Sequence, residues 1–236
     1  MSASERRGAT RTAVVWDVLR PILGAGSRDV LDIGGGTGGF AVKVAELGHR
    51  VAVVDPSPDA LAALSRRARE VGVEVAGQQG DLSSLVDAVG ADSADVVLCH
   101  GVLEVVDDPA AALATIREVL RPGGTLSLLV AQRHAAVLAR AMAGHFQQAL
   151  ALLDPAQAPT GRSGHRFTAD ETTELLTEAG FEIASVHGIR VFADLVPGSL
   201  LELEPGATAA LVELERAVAE RPEYLPLATQ LHVISS

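Results

Sequence analysis

The stretch VLDIGGGTGGF, residues 30–40, decides the fold, because it joins a predicted buried strand to a predicted helix through a glycine-rich loop. The loop fits two sequence templates. Gly34, Gly36 and Gly39 satisfy the G-x-G-x-x-G pattern of dinucleotide-binding proteins, whereas Gly34, Gly36 and Gly38 satisfy G-x-G-x-G. The glycines alone leave the ligand undecided, so its identity depends on the residues around them.

Short β-rich segments alternate with helical ones on both sides of this loop. The predicted strands cover residues 28–33, 50–55, 73–79, 94–100 and 125–131, and the predicted helices cover residues 11–23, 39–47, 57–71, 82–89 and 109–120, the last stopped by RPGG. Alternating units of this size predict an α/β fold, in which a parallel sheet is covered by helices on both faces.

After residue 131 the pattern changes. One helical stretch over residues 135–153 leads into a Pro/Gly-rich exposed loop. The later predicted elements are helices at residues 169–180 and 208–220 and strands at residues 181–192 and 227–235. We expect a single domain over residues 1–236, with segments 135–167 and 193–206 as candidate caps over the carboxyl edge of the sheet.

Composition excludes several classes of protein. The chain has 236 residues, is 48% hydrophobic, and carries no apolar run long enough to span a bilayer and no apolar centre of a signal peptide near its start, so we expect a cytoplasmic protein. A single cysteine, Cys99, excludes an internal disulfide and a thiolate metal cluster, so no metal site is predicted. The net charge of -11 weighs against a surface that tracks a nucleic-acid backbone.

Asp32 separates the two templates, because it lies two residues before Gly34 at the end of the first predicted strand. A carboxylate about 6 Å from a phosphate would oppose it by about 3 kcal/mol at an effective dielectric constant near 20. S-adenosylmethionine has no phosphate, and its sulfonium and ammonium groups both gain from a nearby carboxylate. The acidic loop therefore favours S-adenosylmethionine over a dinucleotide, although Asp32 could instead cap the loop.

Three further polar groups follow the next predicted strands. Asp55 could accept both ribose hydroxyls of either cofactor. Asp81, with Leu82 beside it, is placed to accept the adenine amino group, or alternatively to cap a helix. His100 ends the fourth strand and faces the same edge, unless it is only a satisfied polar residue. Taken together, these residues predict an adenosyl site.

The sequence resembles class I S-adenosylmethionine-dependent methyltransferases. Within that superfamily it is most similar to the tRNA 5-carboxymethoxyuridine methyltransferases, which esterify the carboxylate of a modified wobble uridine. The resemblance rests on RTAVVWDVL, LDIGGGTGG, CHGVLEVVDDP, LRPGGTLSLL, AMAGHF, GIRVFADL, the later ELE and LHV. It implies a Rossmann-like, mostly parallel seven-stranded sheet with an antiparallel last strand.

The resemblance also implies particular roles in the cofactor site. By this resemblance, Arg11 would bind the carboxylate of the cofactor, Asp55 would bind its ribose, and His100 would lie beside its methionine part. With the loop chemistry, it predicts cofactor-binding residues at Arg11, Asp32, Gly34, Gly35, Gly36, Gly38, Asp55, Pro56, Gly80, Asp81, Leu82 and His100.

The acceptor stays open between a tRNA and a small molecule. A carboxylate acceptor is already ionised and needs only orientation, for which Arg133, His134 and Arg190 are the predicted substrate-binding residues, with Arg162 and Arg166 as further candidates. A phenol or alcohol needs a general base, for which His134, His165 or His187 would serve. Gln132 and Arg133 replace the tyrosine and asparagine that the family carries there. No catalytic residue is predicted, because methyl transfer can rest on alignment and desolvation.

The residues also bear on two other classes of function. An NAD-dependent oxidoreductase would need a proton-transferring pair such as Tyr-x-x-x-Lys, but Lys43 is the one lysine and Tyr224 the one tyrosine. A protein that binds the cofactor without catalysing a reaction remains an alternative. The oligomeric state cannot be deduced from the sequence.

Overall fold

The computed structural model describes residues 3–24, 26–153, 164–203 and 205–236, and the side chains of residues 3–11 and 202–203 lie outside that description. The strands are β1 (Asp29–Ile33), β2 (Arg50–Asp55), β3 (Ala76–Gln79), β4 (Ala94–His100), β5 (Leu120–Ala131), β6 (Ile183–Ile189) and β7 (Gln230–Ser235). The α-helices are α1 (Ala3–Leu23), α2 (Ala41–Glu46), α3 (Pro58–Val71), α4 (Leu85–Val89), α5 (Pro109–Val119), α6 (Arg133–Met142), α7 (Phe146–Leu153), α8 (Ala169–Glu178), α9 (Leu200–Leu203) and α10 (Ala207–Val218).

The seven strands form one sheet in the order β3-β2-β1-β4-β5-β7-β6. Strands β1 to β5 pair in parallel, and β7 lies antiparallel between β5 and β6. The predicted mostly parallel sheet with an antiparallel last strand is therefore confirmed. Since β7 runs in reverse, its first residue lies at the same edge as the last residues of β5 and β6.

Helices cover both faces of the sheet, as predicted. One face packs against α4, α5 and α8 through a cluster that includes Leu85, Leu113 and Leu176. The other packs against α1, α2 and α3 through a second cluster that includes Leu19 and Leu64. Strands β1, β2 and β4 carry mostly apolar, buried side chains on both sides because a parallel sheet between helix layers has no wet face.

The predicted helix over residues 135–153 is wrong in one respect, because the structure divides it into α6 and α7. Gly144 adopts a φ of 77° between them. The amide of His145 donates to the carbonyl oxygen of Arg140 at 2.9 Å, a closing bond typical of a helix C-terminus that ends on a left-handed glycine. The glycine thus turns the chain where the apolar periodicity alone continues.

Several strand predictions differ at their ends, and β7 begins at Gln230 rather than at residue 227. Strand β3 is shorter than predicted because the amide of Val73 still donates to Ala68 at the end of α3. Strand β5 begins before the predicted start, since residues 121–124 lie within the strand at a register shift. Strand β6 stops at Ile189 because Arg190 has a φ of 58°.

Within the described ranges, no helix combines the length and the apolar character needed to cross a membrane.

Gly38 sets a close contact between the glycine loop and α3. It has a φ of +76°, and a Cβ atom added there would lie 2.3 Å from Cδ1 of the fully buried Leu64. Gly38→Ala should lower the free energy of unfolding by about 1–3 kcal/mol more than a substitution that adds only backbone strain.

Gly48→Ala is the matched control for urea denaturation. Gly48 also has a positive φ, of +90°, but has nothing within 4 Å of the added Cβ. Equal losses of stability in the two variants would contradict a tight contact between the loop and α3.

Candidate functional site

A cleft of about 700 Å³ opens at the carboxyl edge of β1, β2, β3 and β4. The loops after these four parallel strands form its walls, which is where open α/β sheets bind ligands. The lining residues include Gly34, Asp55, Gly80, Asp81, Leu82 and Val102. We call this the first cleft.

The conformation of the glycine loop separates the two sequence templates. Gly34, Gly36 and Gly38 all have positive φ angles, of 64°, 56° and 76°, whereas Gly39 does not. A Cβ atom on Gly35 would lie 2.5 Å from a carboxylate oxygen of Asp32. The backbone therefore uses the glycines of the G-x-G-x-G template, and Gly35 lets the loop lie directly over the acid.

Asp32 is buried beneath this loop with only 4% of its surface exposed. Burial, and then the negative charge of Asp55, raise the pKa of Asp32 to about 7, although a hydrogen bond from the amide of Ala41 acts to lower it. A buried carboxyl group with a raised pKa favours a cation in its neighbourhood, because a positive charge would stabilise its ionised form. The local chemistry suits a cationic ligand group.

Asp55 connects the loops after β1 and β2. Its Oδ2 accepts from the amide of Gly36 at 2.9 Å and its Oδ1 accepts from the amide of Ser57 at 2.8 Å. Each carboxylate oxygen has more than one acceptor position, so the group can still accept from a ligand hydroxyl. Pro56, next to it, also lines the first cleft.

Asp81 lies across the cleft on the loop after β3. Its Oδ1 accepts from the amide of Ser83 at 2.9 Å and from the hydroxyl of Ser83 at 2.6 Å, which caps the short helical turn Leu82–Ser84. The hydroxyl bond from Ser83 in particular lowers the pKa of Asp81. The capping alternative is therefore observed, and the same residue, with Gly80 and Leu82, lines the cleft.

His100 ends β4 and belongs to a polar row that crosses the sheet beneath α1. Its Nε2 lies 2.9 Å from the hydroxyl of Ser127, which lies 2.7 Å from Nε2 of His232. Ser127 and His232 are fully buried, and His232 pairs in register with His187 on β6. His100 also contacts the ring of Phe40 at 5.1 Å. It therefore has satisfied polar contacts and is also at the predicted edge.

A second cleft of about 540 Å³ lies at the same edge, over the ends of β5, β6 and β7. Helix α6 and the turn after β6 form its walls. Its lining residues include Arg140, Met142, Arg166, Asp194, Leu195 and Thr229. Apolar walls with two arginines suit an acceptor that has a flat body and a negative group.

Arg190 lies at the turn beside this cleft. Its Nη2 pairs with Oδ2 of Asp194 at 3.1 Å, and that oxygen accepts from the hydroxyl of Thr229 at 2.7 Å. The side chain of Arg190 is 22% exposed, and its buried Nε has no hydrogen-bond partner among the described residues. The turn thus holds one guanidinium with unused donor capacity.

The structure does not bring Arg133 to the second cleft. Its Nη2 donates to Oε1 of Glu171 at 2.7 Å and to the carbonyl oxygen of Arg166 at 3.1 Å, so it fastens α6 to the start of α8. Burial acts to raise the pKa of Glu171, but the hydrogen bond from Arg133 contributes to lowering it overall. His134, in contrast, is exposed at the start of α6.

The remaining predicted residues have varied positions. His187 is buried, and its Nε2 faces Glu220 at 3.2 Å, at the far end of the polar row. His165 donates its backbone amide to the carbonyl oxygen of Glu104 at 2.6 Å. The side chain of Arg11 and all of Arg162 lie outside the described residues. The thiol of Cys99 is buried, and burial, helped by Glu104, raises its pKa.

Three further polar residues accept hydrogen bonds from backbone amides near this edge. The motif CHGVLE places Glu104 there, whereas the capping role of Gln132 and the buried position of Glu215 were not predicted. Gln132 caps α6, since its Oε1 accepts from His134 at 2.8 Å while its amide nitrogen donates to Leu225. Glu104 accepts from the amide of Ala131 at 2.7 Å. The third, Glu215, is fully buried in α10. The position of Gln132 at the end of a predicted strand is a sequence signal for a residue at this edge. Glu215 gives no such signal, because it lies within the periodic pattern of a helix.

Among the described residues, no group of three or more histidine, cysteine, aspartate and glutamate side chains could hold a metal ion.

Comparison with known proteins agrees with this arrangement. The methyltransferase domain family matches residues 9–186. The tRNA 5-carboxymethoxyuridine methyltransferase of Escherichia coli K12 is 31% identical over 96% of this chain and 88% of its own. The ubiquinone biosynthesis O-methyltransferase of Xanthomonas axonopodis pv. citri is 36% identical over 51% of this chain and 49% of its own.

The fold also matches a solved structure. The S-adenosylmethionine-dependent methyltransferase of Mesorhizobium loti superposes with a TM-score of 0.60 at 21% identity, covering 96% of this chain and 99% of that one. The chain therefore belongs to the methyltransferase domain family. It is an S-adenosylmethionine-dependent methyltransferase, and its cofactor is S-adenosylmethionine.

Asp32→Asn should stabilise the cofactor-free protein at high pH. Burial raises the pKa of Asp32 to about 7 in the folded chain, against an ordinary value of 3.8. Ionising this carboxyl therefore costs the folded state up to about 4 kcal/mol. The cost is absent below about pH 4, grows until about pH 7 and is then constant, so stability falls across that window as the pH rises.

Urea denaturation at several pH values measures this effect. We expect the variant and the wild type to be similar in stability near pH 4 and the variant to be more stable at pH 8. Asp87→Asn, at an exposed position on α4, should leave the pH dependence in place. A wild-type stability that does not fall between these pH values would contradict the raised pKa.

Proposed function

We propose that the enzyme methylates a carboxylate, and that the acceptor is 5-carboxymethoxyuridine in tRNA. The observation that carries this proposal is the second cleft, where Arg140 and Arg166 line an otherwise mostly apolar wall beside Arg190. The chain has a net charge of -11, so arginines gathered at one cleft point to a local need for positive charge. An arginine can bind both oxygens of a carboxylate with its planar fork.

The first cleft fits S-adenosylmethionine. The glycines of the loop, which lies on the buried acid with positive φ angles, leave room for a ligand to lie against the backbone. Asp55 and Asp81 offer acceptors for the ribose and the adenine. The proposed cofactor-binding set therefore keeps the predicted residues, with Leu82 against the adenine and His100 beside the methionine part. Arg11 stays a prediction from the family resemblance.

The proposed chemistry needs few functional groups from the protein. Bound S-adenosylmethionine supplies an electrophilic methyl group on a sulfonium. A carboxylate is already ionised at neutral pH, so the protein has no proton to remove. Arg166, Arg140 and Arg190 would orient the acceptor carboxylate, and the apolar walls of the second cleft would exclude water from it. The general-base histidines then have no necessary role.

The extent of the similarity favours tRNA as the source of the carboxylate. The Escherichia coli relative matches 96% of this chain, including the part that forms the second cleft, whereas the Xanthomonas relative matches 51%. A tRNA acceptor implies a cytoplasmic location. The net charge of -11 supports a second candidate, a small carboxylate metabolite, because a small acceptor makes no contact with the acidic surface.

We further propose that the cap is built from segments 135–167 and 193–206 of a single domain. Helix α6 and the residues Asp194 and Leu195 line the second cleft, so both segments border the proposed acceptor site. Residues 154–163 and 204 lie outside the described residues.

Incubation with radiolabelled S-adenosylmethionine tests the acceptor. The parallel samples are tRNA that carries 5-carboxymethoxyuridine, the same tRNA already methylated, and a small-molecule extract. We expect alkali-labile label, as in a methyl ester, in the first sample alone. Label in the extract alone would support the metabolite, and label that resists alkali would overturn carboxylate methylation.

Asp55→Asn tests the cofactor half. The amide side chain keeps one acceptor oxygen, so one of the two loop amides loses its acceptor, and the charge that strengthens bonds from ribose hydroxyls is lost. We expect binding of S-adenosylhomocysteine to weaken by about 1–3 kcal/mol, measured by calorimetry. Asp59→Asn, at an exposed position on α3, serves as the control. An unchanged affinity would remove Asp55 from the proposed site.

Arg166→Gln tests the acceptor half. It should raise the KM for the carboxylate acceptor by about tenfold or more, because one charge-assisted contact is lost. Binding of S-adenosylhomocysteine should not change. The control is Arg67→Gln on the exposed face of α3. If both substitutions change the acceptor KM equally, the change is due to a general effect of charge and not to a specific contact of Arg166.

A further inference from the structure

Glu215 is a buried carboxyl group that neither cleft includes among its walls. It lies within α10, has no exposed surface, and is far in sequence from the turn that it contacts. A buried carboxylate is costly unless donors surround it, so its partners indicate what it does. Here the partners are consecutive backbone amides.

Three amides of one turn donate to this carboxylate. The amide of Val191 donates to Oε2 at 2.8 Å, and the amides of Phe192 and Ala193 donate to Oε1 at 2.9 Å and 2.7 Å. Both oxygens act as acceptors, as in the concave backbone nests that bind anions. The side chain thus replaces the strand partner that β6 loses after Ile189.

The turn held in this way begins at Arg190. Arg190 is a non-glycine residue with a φ of 58°, a conformation that persists only when its surroundings enforce it. Its carbonyl oxygen accepts from the hydroxyl of Thr229 at 3.1 Å, on the opposite side of the turn from Glu215. The turn is therefore fixed from two elements, α10 and the segment that leads into β7.

The same turn presents the polar groups of the second cleft. The guanidinium of Arg190 pairs with Asp194, and Asp194 and Thr229 both line the cleft. A shift of the amides at residues 191–193 would move Arg190 at one end and Asp194 at the other. Glu215 thus contacts the segment between Arg190 and Asp194 without lining the cleft itself.

We infer that Glu215 is a positioning residue for the acceptor site, which sets the turn that carries Arg190 and Asp194. The inference rests on the proposed role of the second cleft as that site. It gives Glu215 a role in acceptor binding, separate from the cofactor half of the enzyme. Precise placement matters, because a small displacement of an orienting group lowers the rate of transfer.

Glu215→Gln tests the inference at nearly constant volume. One carboxylate oxygen becomes an NH₂ group, a donor, which faces amides that are also donors. We expect the KM for 5-carboxymethoxyuridine tRNA to rise by about tenfold or more, while the dissociation constant of S-adenosylhomocysteine stays within about twofold. Amide hydrogen exchange at residues 191–193 should become faster.

Glu213→Gln is the matched control on the same helix. Glu213 is exposed and pairs with Arg216, so its substitution should leave the KM, the dissociation constant and the exchange at residues 191–193 unchanged. Glu215→Asp is the second test variant, for the case in which Glu215→Gln does not fold. Its shorter side chain keeps the charge but withdraws the carboxylate from the three amides, and the same rise in acceptor KM is expected.

The outcomes distinguish this inference from the proposed function. Folded Glu215→Gln protein with normal acceptor KM, or with exchange at residues 191–193 unchanged, would overturn the positioning role. Equal losses of acceptor and S-adenosylhomocysteine binding would also overturn it, as they indicate general damage. If the wild type methylates a neutral acceptor instead, the carboxylate proposal fails, and the same comparison with that acceptor still decides the role of Glu215.

Discussion

The first cleft depends on one buried carboxyl group, that of Asp32, on which the glycine loop lies directly. The contact with Gly35 leaves no room for a side chain, and the neighbouring positive-φ glycines turn the loop around the acid. In the absence of a ligand this group is poorly solvated, which is why burial raises its pKa. Because the ionised form of the Asp32 carboxyl is poorly solvated, a cation bound beside it would stabilise that form.

The second cleft depends on the reversal of one strand. Because β7 is antiparallel to both neighbours, the start of β7 meets the ends of β5 and β6 at a single edge. That arrangement brings Thr229 next to the turn at Arg190 and next to Gln132, whose amide donates to the carbonyl oxygen of Thr229. The two clefts share one edge of the sheet, but they are built from different kinds of strand connection.

More of the predicted cofactor residues than of the predicted substrate residues line one of the two clefts, and this difference has a physical reason. Glycines and acids at strand ends act through the local backbone, so their spacing reports their position. Arg133 shows the limit, because its partner Glu171 is distant in sequence and no local pattern reveals the pair. Glu215 was likewise invisible as a functional group, since its three amide partners come from another element.

Errors in the fold had a similar origin. Apolar periodicity continues across Gly144, so residues 135–153 fit one helix until the left-handed glycine is seen. Strand β6 was predicted to run on to residue 192, although Arg190 turns away where the carboxylate of Glu215 collects the following amides. In both places a long-range or steric requirement outweighed a local preference.

The serine in the buried polar row couples the tautomers of two histidine rings that are far apart in sequence. The hydroxyl of Ser127 has a single hydrogen and lies between Nε2 of His100 and Nε2 of His232. Both imidazoles cannot accept from it at once, so at least one must present an N–H. If His100 takes the tautomer in which Nε2 accepts, His232 must take the other, and strands β4 and β7, which lie on either side of β5, then share one choice of hydrogen placement.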